Sequence, residues 1–592
     1  MSDPSPHAKD SARFRSFREL RRARAGEEAG GEAAQGTWRL ETVDERSLKE
    51  ALAALDSPLG ATARERIRGR PAGFGAMESG PPAYRAEDSE EMALLAAFRL
   101  RTVFPADVRA EAAALPADPR PEDGAGRLDL RGETIFTIDG EDARDFDDAI
   151  GIRPLPDGAA EVGVHIADVA HYVRPGTALD DEALARATSV YLPDQVLPML
   201  PEELSNGLCS LVPHRDRLAY SVLMAFDARG ERTSARVAKS VIRSVHRHTY
   251  RVVQDLLDGK DTPETREIRH LEEPLRLFQR WTLRQQALRD ARGSLRMQSR
   301  ERKFLFDANH EVAAIVDDPR YFSQTLIEET ALAANQAVGD LFRGRGLPAI
   351  YRVHPEKSEE EIAAVREMLE KHGIRVPAKE RLTGRDIGRL IRAARNRKNA
   401  EALIARIMGL VERAFYEVHD HEDPARHFGL AREAYLHFTS PIRRYPDLMV
   451  HRWLGAIESR GAAAEQELRA AELVAGLNDV AAHCSLQAEV AEMAEIAVGD
   501  LKVCQFMAPH VGETFEATVA RVSPAGLELF LGALHVDGFL PARLLGDRPK
   551  VEGPTLTVRA GKRTLSFTEG YPIRVRVKDV DFLRLQVLFV PA

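Results

Sequence analysis

Only three cysteines, Cys209, Cys484 and Cys504, are spread over 592 residues, and no two form a C-x-x-C pair. That spacing excludes a cysteine-rich zinc site and a disulfide framework. No apolar run approaches the roughly 18 residues of a membrane-spanning helix, and the opening MSDPSPHAKD is too polar for a secretory leader. These absences predict a protein of the reducing cytoplasm with no membrane partner. A basic excess is lacking too. Lys and Arg number 83 against 92 Asp and Glu, a net charge of −9. A nucleic acid would have to be held by a local channel, not by overall charge.

What is present is a concentration of acid. Residues 139–148 read DGEDARDFDD, within TIFTIDGEDARDFDDAI. Asp139, Asp145, Asp147 and Asp148 stand at the spacing D-x5-D-x-D-D. Two carboxylates about 4 Å apart repel by roughly 1 kcal/mol in water, and by more where the dielectric is lower. Two readings are open: a solvated acidic turn, or a site for hard divalent cations, Mg²⁺ above all. Paired ions of that kind serve in-line displacement at phosphorus. An EF-hand fails, because no register supplies both its glycine and its closing glutamate. TIFTI is strand-like, which puts Asp139 at a strand end. In an extended chain Asp145 and Asp147 would face one way and Asp148 the other. Convergence of all four therefore requires a tight loop.

The length allows three or four domains with full cores. Residues 1–35 read as a flexible basic arm, with Arg13, Arg15, Arg18, Arg21, Arg22 and Arg24 around Phe14 and Phe17. It is either a solvated tail or a nucleic-acid-binding segment. Residues 36–104 carry helical patterns at Ser47–Leu55, Gly60–Arg68 and Ser89 to about Val103. They suggest a small α-rich domain, a winged helix-turn-helix being one form. A Pro-punctuated connector spans 105–130. From 131 to 498 strands and helices alternate as in a large mixed α/β catalytic domain. Helices are expected around Leu275–Leu288, Thr325–Arg343, Glu359–Lys371, Asn399–Tyr416 and Ala463–Ala494. From 499 to 592 five short alternating strands predict an OB-fold β-barrel. The class is multidomain α+β.

Six strings, in order over the central domain, resemble the ribonuclease II / ribonuclease R family, whose catalytic unit is called the RNB domain. They are TIDGEDARDFDDAI, the stretch from VHIADVAHYV to SNGLCSL, SVIRSVHRHTY, LIEETALAANQAV, IYRVH and HFTSPIRRYPDLMVHR. The opening of the barrel, GETFEATVARVSPAGLELFL, resembles the ribosomal S-one-type OB-fold that ends these enzymes. The likeness runs from about Arg131 to Ala592 and fails in front. The family opens with cold-shock-type modules rich in exposed aromatics, and residues 1–104 show helical patterns instead.

The resemblance implies a hydrolytic, processive 3′→5′ exoribonuclease that degrades single-stranded RNA to nucleoside 5′-monophosphates, held in a basic channel closed by the OB-fold. It implies Mg²⁺, as a two-ion site in which Mn²⁺ can substitute, held by Asp139, Asp145, Asp147 and Asp148. Asp147 is the carboxylate on which the chemistry depends most. Arg443 is implied as the transition-state arginine, Arg444 as a neighbouring phosphate contact and Glu328 as a residue lining the site. Tyr191 is implied to stack on a base near the 3′ end, where residue type alone would make it core. Glu495 is placed as an RNA contact. Pro441 places Arg443 and Arg444 at a helix start, where backbone N–H groups favour phosphate. One departure is visible: the family's second stacking aromatic is replaced near Arg296 and Met297. His165, His171, His354, His437 and His451 lack ligand spacing and read as structural. A monomer is expected.

Overall fold

The computed structural model describes residues 89–592 apart from 296–301, 308–310, 356, 378–381, 396, 398–399, 420–424 and 553. The arginine arm, the expected helices Ser47–Leu55 and Gly60–Arg68, and Arg296 and Met297 lie outside the described residues.

The centre is a five-stranded sheet, in the spatial order Leu128–Asp129, Arg232–Arg243, Asp216–Phe226, Ala160–Ala167, Asp148–Pro154. All neighbours are antiparallel except the first pair. Strand AEVGVHIA is buried at almost every position and does not alternate, as expected of a strand covered on both faces. Helices Glu272–Arg292 and Phe322–Gly344 pack against the sheet. Helix Tyr445–Arg460 also reaches it, through His451 edge-on to Tyr220 at 5.0 Å. One hydrophobic core joins these layers and fixes the edge strand that begins at Asp148.

Helix Glu359–Lys371 matches its expected span, and the helices around 275–288 and 325–343 are longer than expected. Two expected helices differ. Residues 399–416 do not form one helix: helix Ala400–Met408 is followed by strand Phe415–His419, paired antiparallel with Ala349–Val353. The β-branched and aromatic run FYEVH buries Phe415 and Tyr416 beside IYRV, and that tertiary pairing overrides local helical preference. The stretch expected as Ala463–Ala494 breaks at an extended Ala470 into Ala462–Leu468 and Ala471–Met507. The second helix runs straight through Gly499, where the sequence texture had suggested a domain boundary. Glycine within a helix costs only about 1 kcal/mol. Burial of Val498, Leu501, Cys504 and Met507 outweighs it.

The C-terminal strands Thr514–Ser523, Gly526–Leu531, Val536–Pro541, Pro572–Asp581 and Gln586–Pro591 close into a barrel. Closure brings Gly538 against Phe589, whose ring would lie 2.2 Å from any Cβ placed there. Val503, Cys504 and Met507 of the long helix enter the barrel core. A three-stranded sheet, Asp547–Glu552, Thr555–Ala560 and Arg563–Thr568, is inserted before the fourth barrel strand. It adds three strands to the five expected of this region, and their alternation is visible in TLTVRAGKRTLSFT.

Helix Ser89–Ala97 is shorter than expected, because the chain turns out of it at Arg99 with φ 55°. Its Leu94 and Leu95, with Phe98, pack on Val190, Leu192 and Leu197 and on the long helix.

Candidate active site

Asp139 ends strand Thr137–Asp139, which pairs in parallel with Arg247–Thr249. Asp148 begins the edge strand, opposite Ile166. The intervening loop is pinned at its far end. The Phe146 N–H donates to Ser210 Oγ (3.0 Å), and that hydroxyl donates to the Arg144 carbonyl (2.7 Å). The Leu211 N–H donates to the Phe146 carbonyl (3.0 Å) and the Ala167 N–H to the Asp147 carbonyl (2.9 Å). Phe146 is buried beneath. These bonds supply the tight loop that the acidic spacing demanded.

Asp147 is only 4% exposed. Its Oδ1 accepts the Ile442 N–H at 2.8 Å, and its Oδ2 lies 3.6 Å from Arg443 Nε. Burial holds its carboxyl well above the usual range, against the pull of Arg443. Asp139 is pushed up to about 8 by burial and then by the charge of Asp148, while Thr137 and Arg247 oppose. Burial raises Asp148 to about 6, with Arg443 and Arg444 opposing. The charge of Asp145 adds to the rise at both Asp139 and Asp147. Among the described residues no three acidic, histidine or cysteine side chains close on one point as a ready-made cation cage. The donor set nevertheless fits hard cations. Asp139 Oδ2 and Asp147 Oδ2 are buried without a hydrogen-bond partner, and hard carboxylate oxygens are what Mg²⁺ and its like prefer.

Arg443 does not begin a helix. The helix starts at Tyr445, with Arg444 as its extended N-cap and Pro446 in the first turn. Pro446, not Pro441, sets that start, since its fixed φ and missing N–H suit the first turn. Arg443 lies in the turn before it. Its carbonyl accepts from the Ser189 N–H (3.0 Å) and from Thr188 Oγ1 (3.1 Å). Its side chain is 42% exposed and touches Ser440 Oγ at 3.2 Å. Arg444 is differently engaged: its Nε and Nη2 donate to the two oxygens of Asp447 at 2.9 and 2.7 Å. Asp447 is wholly buried and also accepts the Ser440 N–H at 2.8 Å. The sequence reading missed Asp447. Its signal was an acid three residues after the N-cap, the place from which a side chain reaches back to the helix start.

Tyr191 is 39% exposed, so it is not a core residue. It sits on a two-bridge hairpin, Val190–Tyr191 with Val196–Leu197. Its N–H donates to Glu495 Oε1 (2.7 Å) and its hydroxyl to Asp145 Oδ2 (2.9 Å). Burial raises the Glu495 carboxyl, opposed by that Tyr191 N–H and by Arg443. Asp145, Asp147, Tyr191, Glu495 and Arg443 are therefore gathered from four separate parts of the chain. Glu328 is placed differently. Its Oε1 accepts from Arg289 (2.7 Å) and its Oε2 from Arg320 (2.9 Å), so its contacts are with arginines and not with the aspartates. Tyr250 was also missed. The charges of Asp148 and Asp139 add to the upward push of burial on its phenol, which puts it beside them. It follows Thr249, the residue that pairs with Asp139, within the quoted string SVHRHTY.

The five histidines are engaged within the fold. His165 Nδ1 meets Ser221 Oγ at 2.7 Å, and burial lowers its pKa to about 3. His437 meets Tyr416 Oη at 2.8 Å and His451 the Phe438 carbonyl at 2.9 Å. His354 accepts the Gly429 N–H at 3.2 Å, and His171 pairs with Asp123 at 3.1 Å.

Residues 127–460 match the RNB domain family and residues 508–583 the S1 RNA binding domain. Ribonuclease R of Thermotoga maritima is 39% identical over 497 residues, 82% of this chain and 68% of that protein. The Escherichia coli ribonuclease R is 34% identical over 495 residues, 81% of this chain but only 59% of its relative. Among solved structures, Mycoplasma genitalium RNase R in complex with ribose-methylated single-stranded RNA superposes with a TM-score of 0.73. It is 25% identical, over 86% of this chain and 79% of that one. Yeast Ssd1, a pseudonuclease, shares the fold at a TM-score of 0.59 and 16% identity, over 80% of this chain and 58% of that one. The fold by itself therefore does not decide activity.

Proposed function

The chain belongs to the RNB-domain ribonuclease R family of 3′→5′ exoribonucleases, and from that premise we propose that it hydrolyses RNA processively from single-stranded 3′ ends, releasing nucleoside 5′-monophosphates. The observation that carries the reading is the meeting of Asp147 with the 440–444 turn, through Ile442 N–H and Arg443. An acidic group and an arginine 296 positions apart (443 minus 147) are brought together at one place.

Asp139, Asp145, Asp147 and Asp148 would hold divalent cations, Mg²⁺ first and Mn²⁺ as a substitute, and four carboxylates suit two ions. When bound, the ions supply positive charge at the phosphate and acidify an attacking water. Arg443, exposed and close to Asp147, turns its fork to the phosphate as negative charge redistributes on it. Tyr191 offers its ring to a terminal base while Asp145 and Glu495 hold it at both ends. Arg444, tied to Asp447, keeps the turn in shape; any phosphate contact it makes is shared with that task. The C-terminal barrel binds RNA upstream, and selectivity rests on backbone and 2′-OH groups more than on bases. No described helix is long and apolar enough to cross a membrane. A monomer in the cytoplasm is the working state we propose.

Single-stranded RNA labelled at either end, incubated with Mg²⁺ or with EDTA, tests the reading. The 3′ label should leave at once as a mononucleotide, the 5′ label should collect in a short oligonucleotide, and EDTA should stop both. Tight binding with both labels intact would make the protein a silent relative. Cleavage of a circular RNA would make it an endonuclease.

The pKa shifts give a second test. Asp139 at about 8 and Asp148 at about 6 lie above the carboxylate value of about 4 in an unfolded chain. Between these values the folded protein holds protons that the unfolded chain has released, so metal-free stability falls as pH rises. Cations need the ionised carboxylates. Mg²⁺ should therefore raise the melting temperature more at about pH 8.5 than at about pH 6. An equal gain at both would remove these carboxylates from the metal site.

Tyr191→Ala should lengthen or blur the shortest end product while cleavage far from the end proceeds. Stacking is worth about 1–3 kcal/mol per base, and it matters most when few nucleotides remain bound. An unchanged ladder on a sequencing gel would reduce Tyr191 to a packing residue.

A further inference from the structure

Beneath the hairpin that carries Tyr191 lies a buried ionic network. Lys502 of the long helix is 2% exposed, and its Nζ stands 2.7 Å from Glu91 Oε2 and 2.6 Å from Asp194 Oδ2. Glu91, on helix Ser89–Ala97, is 1% exposed, and its Oε1 accepts from Gln195 Nε2 at 2.7 Å. Asp194 and Gln195 form the turn of the hairpin, which the Leu192 N–H closes onto the Gln195 carbonyl at 2.9 Å. Two carboxylates thus share one ammonium, and burial with the charge of Asp194 raises Glu91.

Along the long helix, Lys502 is seven residues from Glu495, so both point from the same face. Glu495 holds the backbone of Tyr191 at one end of the hairpin. Lys502 holds the turn at the other. Between them Val190, Leu192 and Leu197 pack on Leu94, Leu95 and Phe98. Apolar side chains of similar volume could stabilise such a site at least as well as ions, so a buried ion network is best explained by the registry it imposes. Here the element placed in register is a strand pair of two bridges, too short to hold its own position.

We propose that Lys502 is a positioning residue for Tyr191: braced by Glu91, it fixes the hairpin through Asp194 and so sets where the ring meets the 3′ end of the RNA. This rests on the stacking role of Tyr191 given above.

Asp194→Asn is the cleaner variant, since Asp194 is partly exposed and Lys502 keeps its bond to Glu91. The full-length protein, its Tyr191→Ala variant and the double variant are compared on 5′-labelled RNA. Asp194→Asn should lengthen the end product by about one or two nucleotides, with turnover on long RNA within about twofold. In the Tyr191→Ala background it should change the ladder no further, because two changes acting through one ring are not additive. An unchanged ladder in Asp194→Asn, or the same added shift with and without Tyr191, overturns the proposal. If Tyr191→Ala itself leaves the ladder unaltered, the stacking role fails. A shift by Asp194→Asn in that case would also overturn the proposal, since it could not act through Tyr191.

Discussion

Asp147→Asn is expected to lower turnover at least about a thousandfold while changing RNA affinity by no more than about threefold. The substitution removes a charge but keeps an oxygen where Oδ1 now accepts the Ile442 N–H. The 440–444 turn therefore keeps its anchor and Arg443 its place. A neutral amide is a poor ligand for a hard cation, so the loss falls on the reaction. On the proposed reading most of the binding energy is electrostatic, from contacts to phosphates away from the scissile one, and is untouched. The variant should also melt no lower than wild type without metal, because a buried carboxyl already held above its usual range costs the fold nothing when made neutral. Single-turnover rates with a filter-binding titration check both halves. A fall in affinity matching the fall in rate would make Asp147 a structural residue.

How much of this site was legible in the sequence follows from how each residue is held. The aspartates were legible because one short segment carries all four, and the strand before them is written in β-branched residues. Arg443 was legible from its string, but its setting was not. Pro441 suggested a helix start, whereas Pro446 makes it, and the buried Asp447 that holds Arg444 is recognised only once the turn is closed. Tyr191 and Glu495 are 304 positions apart, and no local pattern announces a bond between a backbone N–H and a distant carboxylate. The barrel strands alternate visibly, so they were found. The strand Phe415–His419 was not, because its partner Ala349–Val353 lies far upstream and decides the issue. Gly499 misled for a related reason: it reads as a break, yet the packing of its neighbours carries the helix through.

Arg443→Lys is expected to lower kcat by about a hundredfold with little change in KM and none in melting temperature. The side chain is 42% exposed and its contact with Asp147 is long, at 3.6 Å, so the fold draws little from it. What lysine cannot supply is the planar fork that meets two phosphate oxygens at once. If the fork serves the phosphate chiefly as its charge redistributes, the loss appears in kcat and spares ground-state binding. Arg444→Lys makes the contrast. That guanidinium binds both oxygens of Asp447, a side chain with no exposure at all. Replacing it with a single ammonium leaves a buried carboxylate short of a donor, and the melting temperature should fall first. Two neighbouring arginines should then separate cleanly, one in rate and one in stability. Near wild-type turnover in Arg443→Lys would remove that arginine from the reaction and leave the aspartates to stabilise the phosphate through the ions alone.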